Sequence, residues 1–301
     1  MPPRSSPRFT AGVLNVDKAA GETSFAVVRA LRRLTGAHRV GHAGTLDPLA
    51  VGVLPILFES STRLAEFALQ LTKTYVADIH FGYTTQTDDA EGERIPGADP
   101  SGLTAETVGA SLDGFLGRIL QTPPAFSAVK VDGRRAYAMA RRGEEPGLQA
   151  REVMVHEVNL LDFTPGPDAV ARVEIRCGSG TYLRAIARDL GERLGVGGYL
   201  GRLVRTAYGP LELRDSVRVD ELPDADAVRG RLLPADVILP EMQRVRLNID
   251  QEAMVRQGRA VRVLPEPGPG AVRAHDMEGR LVALGHTDPL RRTFVPEKVL
   301  S

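Results

Sequence analysis

Two hydrophobic periods run along this chain. Tyr75, Ala77, Ile79 and Phe81 are interleaved with Val76, Asp78 and His80, and Ala171, Val173, Ile175 and Cys177 with Arg172, Glu174 and Arg176. A period of two puts one set of side chains on a buried face and predicts strands. Val13 to Val16 predicts a shorter strand that enters the turn Asp17 to Gly21. Elsewhere the period is helical. Val27, Leu31 and Leu34 share a face behind the capping candidates Thr23 and Ser24, with Gly36 as the stop. Leu183, Ile186, Leu190 and Leu194 do the same from about Thr181 to Gly195. Strands and helices mix without a regular βαβ rhythm. The pattern predicts an α+β fold with a mixed, largely antiparallel sheet flanked by helices.

From about Gln243 the texture changes. Val245, Leu247 and Ile249 alternate with polar residues, and short strands are expected near 260–263, 271–275 and 281–285, separated by turns at 265–270 and 277–279. That spacing predicts a small β-barrel-like unit over 243–301, after a larger unit over 1–242. The stretch 123–147, rich in Arg, Gly and Pro, predicts an extended, mobile excursion from the larger unit.

Composition narrows the class. Of 301 residues 43% are apolar, enough for a core, yet no run approaches the ~18 apolar residues of a membrane span. Met1 to Thr10 lacks the apolar centre of a signal peptide. The lone Cys177 excludes an intramolecular disulfide. A cytoplasmic protein without membrane attachment is expected. Basic and acidic residues balance at 38 each, but they are segregated. From Thr23 to Leu46 there is no acid, while Arg29, Arg32, Arg33 and Arg39 accumulate with His38 and His42. Arg176 to Arg205 holds six arginines against Asp189 and Glu192, whereas Asp78 to Asp113 holds eight acids against Arg94. Such segregation suits a basic groove on an otherwise acidic surface.

The candidate chemistry centres on Gly41 to Ile56. Two glycines and a histidine lead into Asp47, and Pro48 biases that acid toward an extended backbone. Flanked by Leu46 and Leu49, Asp47 is a partly desolvated carboxylate that can act as nucleophile or base beside a cation. His38 and His42 have the i, i+4 spacing of a metal pair, but Gly41 and Gly44 disfavour the helix that pair needs, so no metal site is expected. Gly195 to Gly201 follows a helix instead of a strand, which rules out a dinucleotide loop.

At every fixed position, Gly41 to Pro55 resembles the catalytic motif of the TruB type of tRNA pseudouridine synthase. The motif's essential aspartate falls on Asp47. Three further blocks resemble that family. Asp17-Lys18 with Gly21 and Ser24 matches its N-terminal motif, with Ala19 where proline is usual. Lys73-Thr74-Tyr75 matches its lysine-x-tyrosine pair, and Gly178 to Arg184 followed by Asp189-Leu190-Gly191 matches the block carrying its arginine. The resemblance implies that Arg184 holds Asp47 ionised and oriented, and that Tyr75 stacks on the target base and helps proton transfer. It further implies that Lys18, His42, Tyr182 and Leu203 contact the substrate, His42 by holding the uridine out of its stack. Pro123 to Lys130 resembles the start of a thumb loop, with Phe126 for the usual tyrosine, and Val204 replaces one arginine of a leucine-arginine-arginine-threonine run. Thr85 to Gly92 resembles another family stretch and is expected to be structural. The C-terminal unit looks like a PUA domain, an RNA-binding module.

The activity so implied is conversion of uridine 55 in the tRNA T-loop to pseudouridine, which requires neither redox chemistry nor a metal, so no cofactor is expected. The implied partner is the T-arm of tRNA, bound by a monomer without an obligatory protein partner. Two rivals are a guide-RNA-dependent enzyme like dyskerin and a tRNA-folding chaperone that acts by binding alone.

Overall fold

The computed structural model describes residues 9–263, 268, 270–288 and 291–300. Most of the turn expected at 265–270 and most of Met1 to Thr10 lie outside the described residues. One large sheet contains β1 (Gly12–Lys18), β2 (Val40–His42), β3 (Val51–Phe58), β4 (Lys73–Phe81), β5 (Gly117–Gln121), β6 (Arg151–Thr164), β7 (Val170–Cys177), β8 (Gly198–Tyr208) and β9 (Leu211–Glu212). Its order is β1-β3-β8-β4-β7-β6-β5, with β2 on β3 and β9 on β8. Only β3 with β8 is parallel; every other pairing in this sheet is antiparallel. The expected α+β, largely antiparallel architecture is what the chain adopts.

The strand periods explain how the sheet is covered. Along β3, Leu54, Ile56 and Phe58 enter one core with Leu14 and Val16, while Val53 and Leu57 enter a second core with Val13. A strand buried on both faces is apolar throughout, hence the run Val51 to Phe58. The helix Ser24–Thr35 buries Val27, Val28 and Leu31; Thr23 caps it and Gly36 ends it at φ 65°. The helix Leu183–Arg193 buries Leu183, Ile186 and Leu190.

A second sheet has five strands in the order Gln243–Arg246, Ala271–His275, Leu281–Asp288, Thr293–Val299, Val261–Arg262, open and curled around Val255, Val272, Val282 and Phe294. The strand expected to continue through Leu247 and Ile249 stops at Arg246, and a helix, Ile249–Arg256, follows. Local capping overrides the apolar alternation. Asn248 Oδ1 accepts from the Gln251 amide at 2.9 Å while Gln251 Oε1 accepts from the Asn248 amide at 2.8 Å. Ile249, the last apolar residue of that alternation, is 79% exposed. The second sheet rests on the first unit, since Leu284 and Leu300 join the core of Val53, Leu57 and Tyr208. The stretch 123–147 contains a hairpin, Lys130–Val131 with Arg134–Arg135, and a short helix, Ala136–Ala140.

The parallel contact positions the chemistry. It joins only Val204 to Val51 and Arg205 to Gly52, and on its other edge Arg205 faces Tyr75, which faces Ile175. The loop that precedes β3, with Asp47, is thereby brought beside the middle of the sheet. Gly52 makes this approach possible. It sits at φ +99°, and a Cβ there would lie 2.3 Å from the Arg205 carbonyl oxygen. Gly52→Ala is expected to lower folding stability by about 3 kcal/mol, read from the urea midpoint, because both the dihedral and the contact become unfavourable.

Candidate active site

The Asp47 loop is clamped from several sides. Lys18 is fully buried, and its ammonium donates to the carbonyls of Ala19, Glu22 and Pro48 at 2.8, 2.7 and 3.3 Å. The Gly21 amide also donates to the Pro48 carbonyl, at 2.9 Å. Ser24 Oγ accepts from the Leu46 amide at 2.9 Å and donates to the Leu46 carbonyl at 3.0 Å. Arg205 Nη2 donates to the Gly44 carbonyl at 2.9 Å. Gly44 has φ +69°, and a Cβ there would sit 2.8 Å from the Tyr208 ring. With its backbone held in this way, the loop presents the Asp47 carboxylate, whose side chain is 44% exposed.

Arg184 meets it from the first turn of the helix Leu183–Arg193. Its Nη2 lies 2.8 Å from Asp47 Oδ2 and donates to the Phe126 carbonyl at 3.1 Å. Its Nη1 donates to the Thr87 carbonyl at 3.0 Å and lies 3.5 Å from Asp89 Oδ2. The Arg184 side chain is 7% exposed. A guanidinium that deep needs acceptors for its fixed donors, and four separate residues provide them. Asp89 is itself held, accepting from Thr87 Oγ1 at 2.6 Å and the Glu91 amide at 3.1 Å.

Asp47, Arg184, Tyr75, Tyr182 and Leu203 all line one cleft of about 340 Å³, together with Lys73 and Arg205. Tyr75 is buried on β4, and burial raises its phenol above the ordinary value, partly offset by the charge of Arg205. Tyr182 is fixed by Gln121, whose Oε1 accepts from its amide at 2.8 Å and whose Nε2 donates to its carbonyl at 3.1 Å. With Leu46, Tyr75 and Leu203 among its walls, the cleft offers apolar faces to a flat ring and one paired carboxylate to whatever that ring is attached to. Among the described residues, no three His, Cys, Asp or Glu side chains gather to hold a metal ion.

The remaining expected contacts lie elsewhere. Lys18 is not among the lining residues; its ammonium is occupied behind the loop, which makes it a support for Asp47. His42, on β2, also lies outside the lining; its Nδ1 is sealed from solvent without a hydrogen-bond partner. Burial and the Arg205 charge lower its pKa, which favours the neutral ring.

Three residues to which the sequence assigned no role of their own belong to the cleft or its support. Asp89 lies in the stretch expected to be structural, inside an acidic run that reads as surface. Arg205 is fully buried; its Nε donates to the Val53 carbonyl at 2.6 Å, and its guanidinium carbon lies 5.0 Å from the Tyr208 ring centroid and 6.0 Å from that of Tyr75. Lys73 is buried too, with its ammonium 4.9 Å from the Tyr208 ring centroid and donating to the Leu69 carbonyl at 2.6 Å. The lysine-x-tyrosine match names it without a role, and its place two residues before Tyr75 in an alternating strand puts both on one face.

Two outcomes follow from these burials. Asp89→Asn leaves the buried Arg184 with one carboxylate fewer and is expected to lower stability by about 2 kcal/mol in urea unfolding. Burial, reinforced by Arg205, pushes Lys73 down to about 8 from its ordinary 10.5. Between those values the unfolded chain holds a proton that the folded chain has lost, so this group makes stability rise with pH across that window. Lys73→Met is expected to remove that rise and to be more stable than the parent below it, as urea midpoints at about pH 7 and about pH 10 will show.

Residues 32–183 match the N-terminal domain of the TruB family of pseudouridylate synthases, and residues 184–240 match a tRNA pseudouridylate synthase B C-terminal domain. A tRNA pseudouridine synthase B of Synechococcus sp. is 45% identical over 279 residues, covering 91% of this chain and 93% of its own length. A protein of the same name from Mycobacterium ulcerans is 40% identical over 281 residues, covering 93% and 92%. Among solved structures, a chain of a Cbf5–Nop10–Gar1 complex superposes with a TM-score of 0.71 at 25% identity, covering 96% of this chain and 85% of that one. Matches that span both halves of the cleft, from the Asp47 loop to the Arg184 helix, show that this chain belongs to the TruB family of pseudouridylate synthases.

Proposed function

We propose that this chain converts the T-loop uridine of tRNA conventionally numbered 55 to pseudouridine, with Asp47 as the catalytic carboxylate. The relatives named tRNA pseudouridine synthase B support tRNA as the substrate. The observation that carries the catalytic assignment is the 2.8 Å pair of Asp47 and Arg184, half open to a cleft that Tyr75 also lines.

The reaction breaks the bond from ribose C1′ to N1 of uracil, turns the detached base, joins C1′ to C5, removes the C5 proton and leaves a proton on N1. Nothing is oxidised or reduced. Asp47 acts at the ribose, as nucleophile or base, while Arg184 orients it. Tyr75 stacks on the uracil and helps carry the C5 proton. Leu203 and Tyr182 complete the slot that keeps the free base from escaping and water from entering. The target nucleotide must leave its stack to reach this slot, and His42 contacts the loop from which it comes. Lys18 acts at one remove, through the Pro48 carbonyl. Residues 1–242 form the catalytic unit and 243–301 the PUA-like RNA-binding unit. Residues 123–147 serve as the thumb over the RNA arm, joined to the site by the Phe126 carbonyl on Arg184.

Purified protein is expected to release tritium from a T-arm stem-loop carrying [5-³H]uridine at the target position. Asp47→Asn should slow that release by roughly 10³-fold or more, with RNA affinity kept. Tritium release by Asp47→Ala at the parent's rate would sink the catalytic assignment. The likeness to a chain of the Cbf5–Nop10–Gar1 complex gives a guide-dependent alternative a footing, and turnover of the bare stem-loop without added RNA or protein decides against it.

A further inference from the structure

The helix Ser24–Thr35 carries a feature that the reaction leaves unused. Its inner face buries Val27, Val28 and Leu31. Its outer face presents Phe25, Arg29, Arg32 and Arg33, all exposed. Residues 25, 29 and 32 are spaced by four and three, so they stand above one another along a stripe, with Arg33 at its edge. Phe25 is 64% exposed, and the Arg29 guanidinium carbon lies 5.7 Å from its ring centroid. A single exposed aromatic means little by itself. Here two other observations accompany it.

The first is charge. Among the described residues none of Arg29, Arg32 and Arg33 pairs with a carboxylate, whereas Arg172, Arg176, Arg184 and Arg188 each do. With no acid from Thr23 to Leu46, these three charges are uncompensated within their own stretch of chain. The second is position. Ser24, next to Phe25, makes both hydrogen bonds to Leu46, next to Asp47. The aromatic end of the stripe is thus bolted to the catalytic loop, and the arginines lead away from it over a helix about 18 Å long.

We propose that Phe25, Arg29, Arg32 and Arg33 form an RNA-binding ridge, on which an unstacked base of the substrate lies against the Phe25 ring and backbone phosphates meet the three arginines. The proposal rests on the reading of the substrate as RNA. A ring backed by a guanidinium is a platform for any base, and a row of unpaired guanidiniums is suited to a phosphate chain. The ridge would hold nucleotides beside the target while the target itself enters the cleft.

The test compares the parent with Phe25→Ala, Phe25→Tyr and the triple variant Arg29→Gln, Arg32→Gln, Arg33→Gln on the T-arm stem-loop. Phe25→Ala is expected to weaken binding about fivefold or more, and Phe25→Tyr to restore it. In the triple variant the slope of log affinity against log salt should flatten by about 2 to 3, near 0.7 to 0.9 for each phosphate left without its arginine. Single-turnover rates at saturating RNA, and unfolding midpoints, should stay at the parent's values, because these side chains touch neither core nor cleft. Parent affinity in Phe25→Ala, or an unchanged salt slope in the triple variant, would overturn the proposal. So would loss of a dimer in either variant with RNA affinity intact, which would make the ridge an interface between copies. A parent that binds the stem-loop with a steep salt slope but releases no tritium would refute the proposed reaction and leave the ridge standing.

Discussion

Burying the Arg184 guanidinium is the constraint on which the cleft depends. A charge that deep destabilises the fold unless every donor finds an acceptor, and no single neighbouring segment supplies enough of them. Asp47 comes from the loop before β3, Asp89 and the Thr87 carbonyl from the turn after the short strand Tyr83–Thr85, and the Phe126 carbonyl from the start of the 123–147 excursion. The arginine therefore ties together segments that share no secondary structure. Asp47 completes this set while remaining the open member of it. One carboxylate belongs to the structural network and opens onto the cleft, so its position is set by the stability of the whole site.

Arg205 is the second buried guanidinium, and its solution is different. It has no carboxylate partner among the described residues; two carbonyls and the faces of Tyr75 and Tyr208 surround it. Its field consequently falls on its neighbours. Burial comes first in depressing both Lys73 and His42, and Arg205 adds to both. For Tyr75 its charge works against burial. The backbone register that faces Arg205 with Tyr75 on one side and Gly52 on the other makes these effects a property of the sheet. A flexible loop could not hold such an arrangement.

The second sheet is joined to this framework by charge as well as by packing. Asp236 receives Arg273 Nη1 at 3.2 Å and lies 2.8 Å from Nε2 of the fully buried His275, and that hydrogen bond holds its carboxyl below the ordinary range. Lys298 donates to the Arg63 carbonyl at 3.0 Å. These contacts sit on the face that Leu284 and Leu300 help to cover, so the two sheets share a core at their junction. The second sheet is therefore seated on the first and not merely tethered to it.

Much of the frame was legible from the chain alone. Period-two runs marked β4 and β7, helical spacing marked the helices at 24–35 and 183–193, and the glycine-rich block marked Asp47. All of these depend on residues close in sequence, so periodicity and capping are sufficient to read them. The same locality misled at Val245, Leu247 and Ile249, where the capping box from Asn248 to Gln251 outweighed an apolar alternation. Resemblance, not spacing, led to the pairing of Arg184 with Asp47. Only the tertiary structure could show that Asp89 is the second acid on that arginine, that the Lys18 ammonium is used up behind the loop, and that Arg205 reaches Gly44 across 161 residues of chain. Such contacts are decided by how the sheet closes. A buried charge finds its acceptors in three dimensions, and the order of residues along the chain carries no record of which carbonyls those will be.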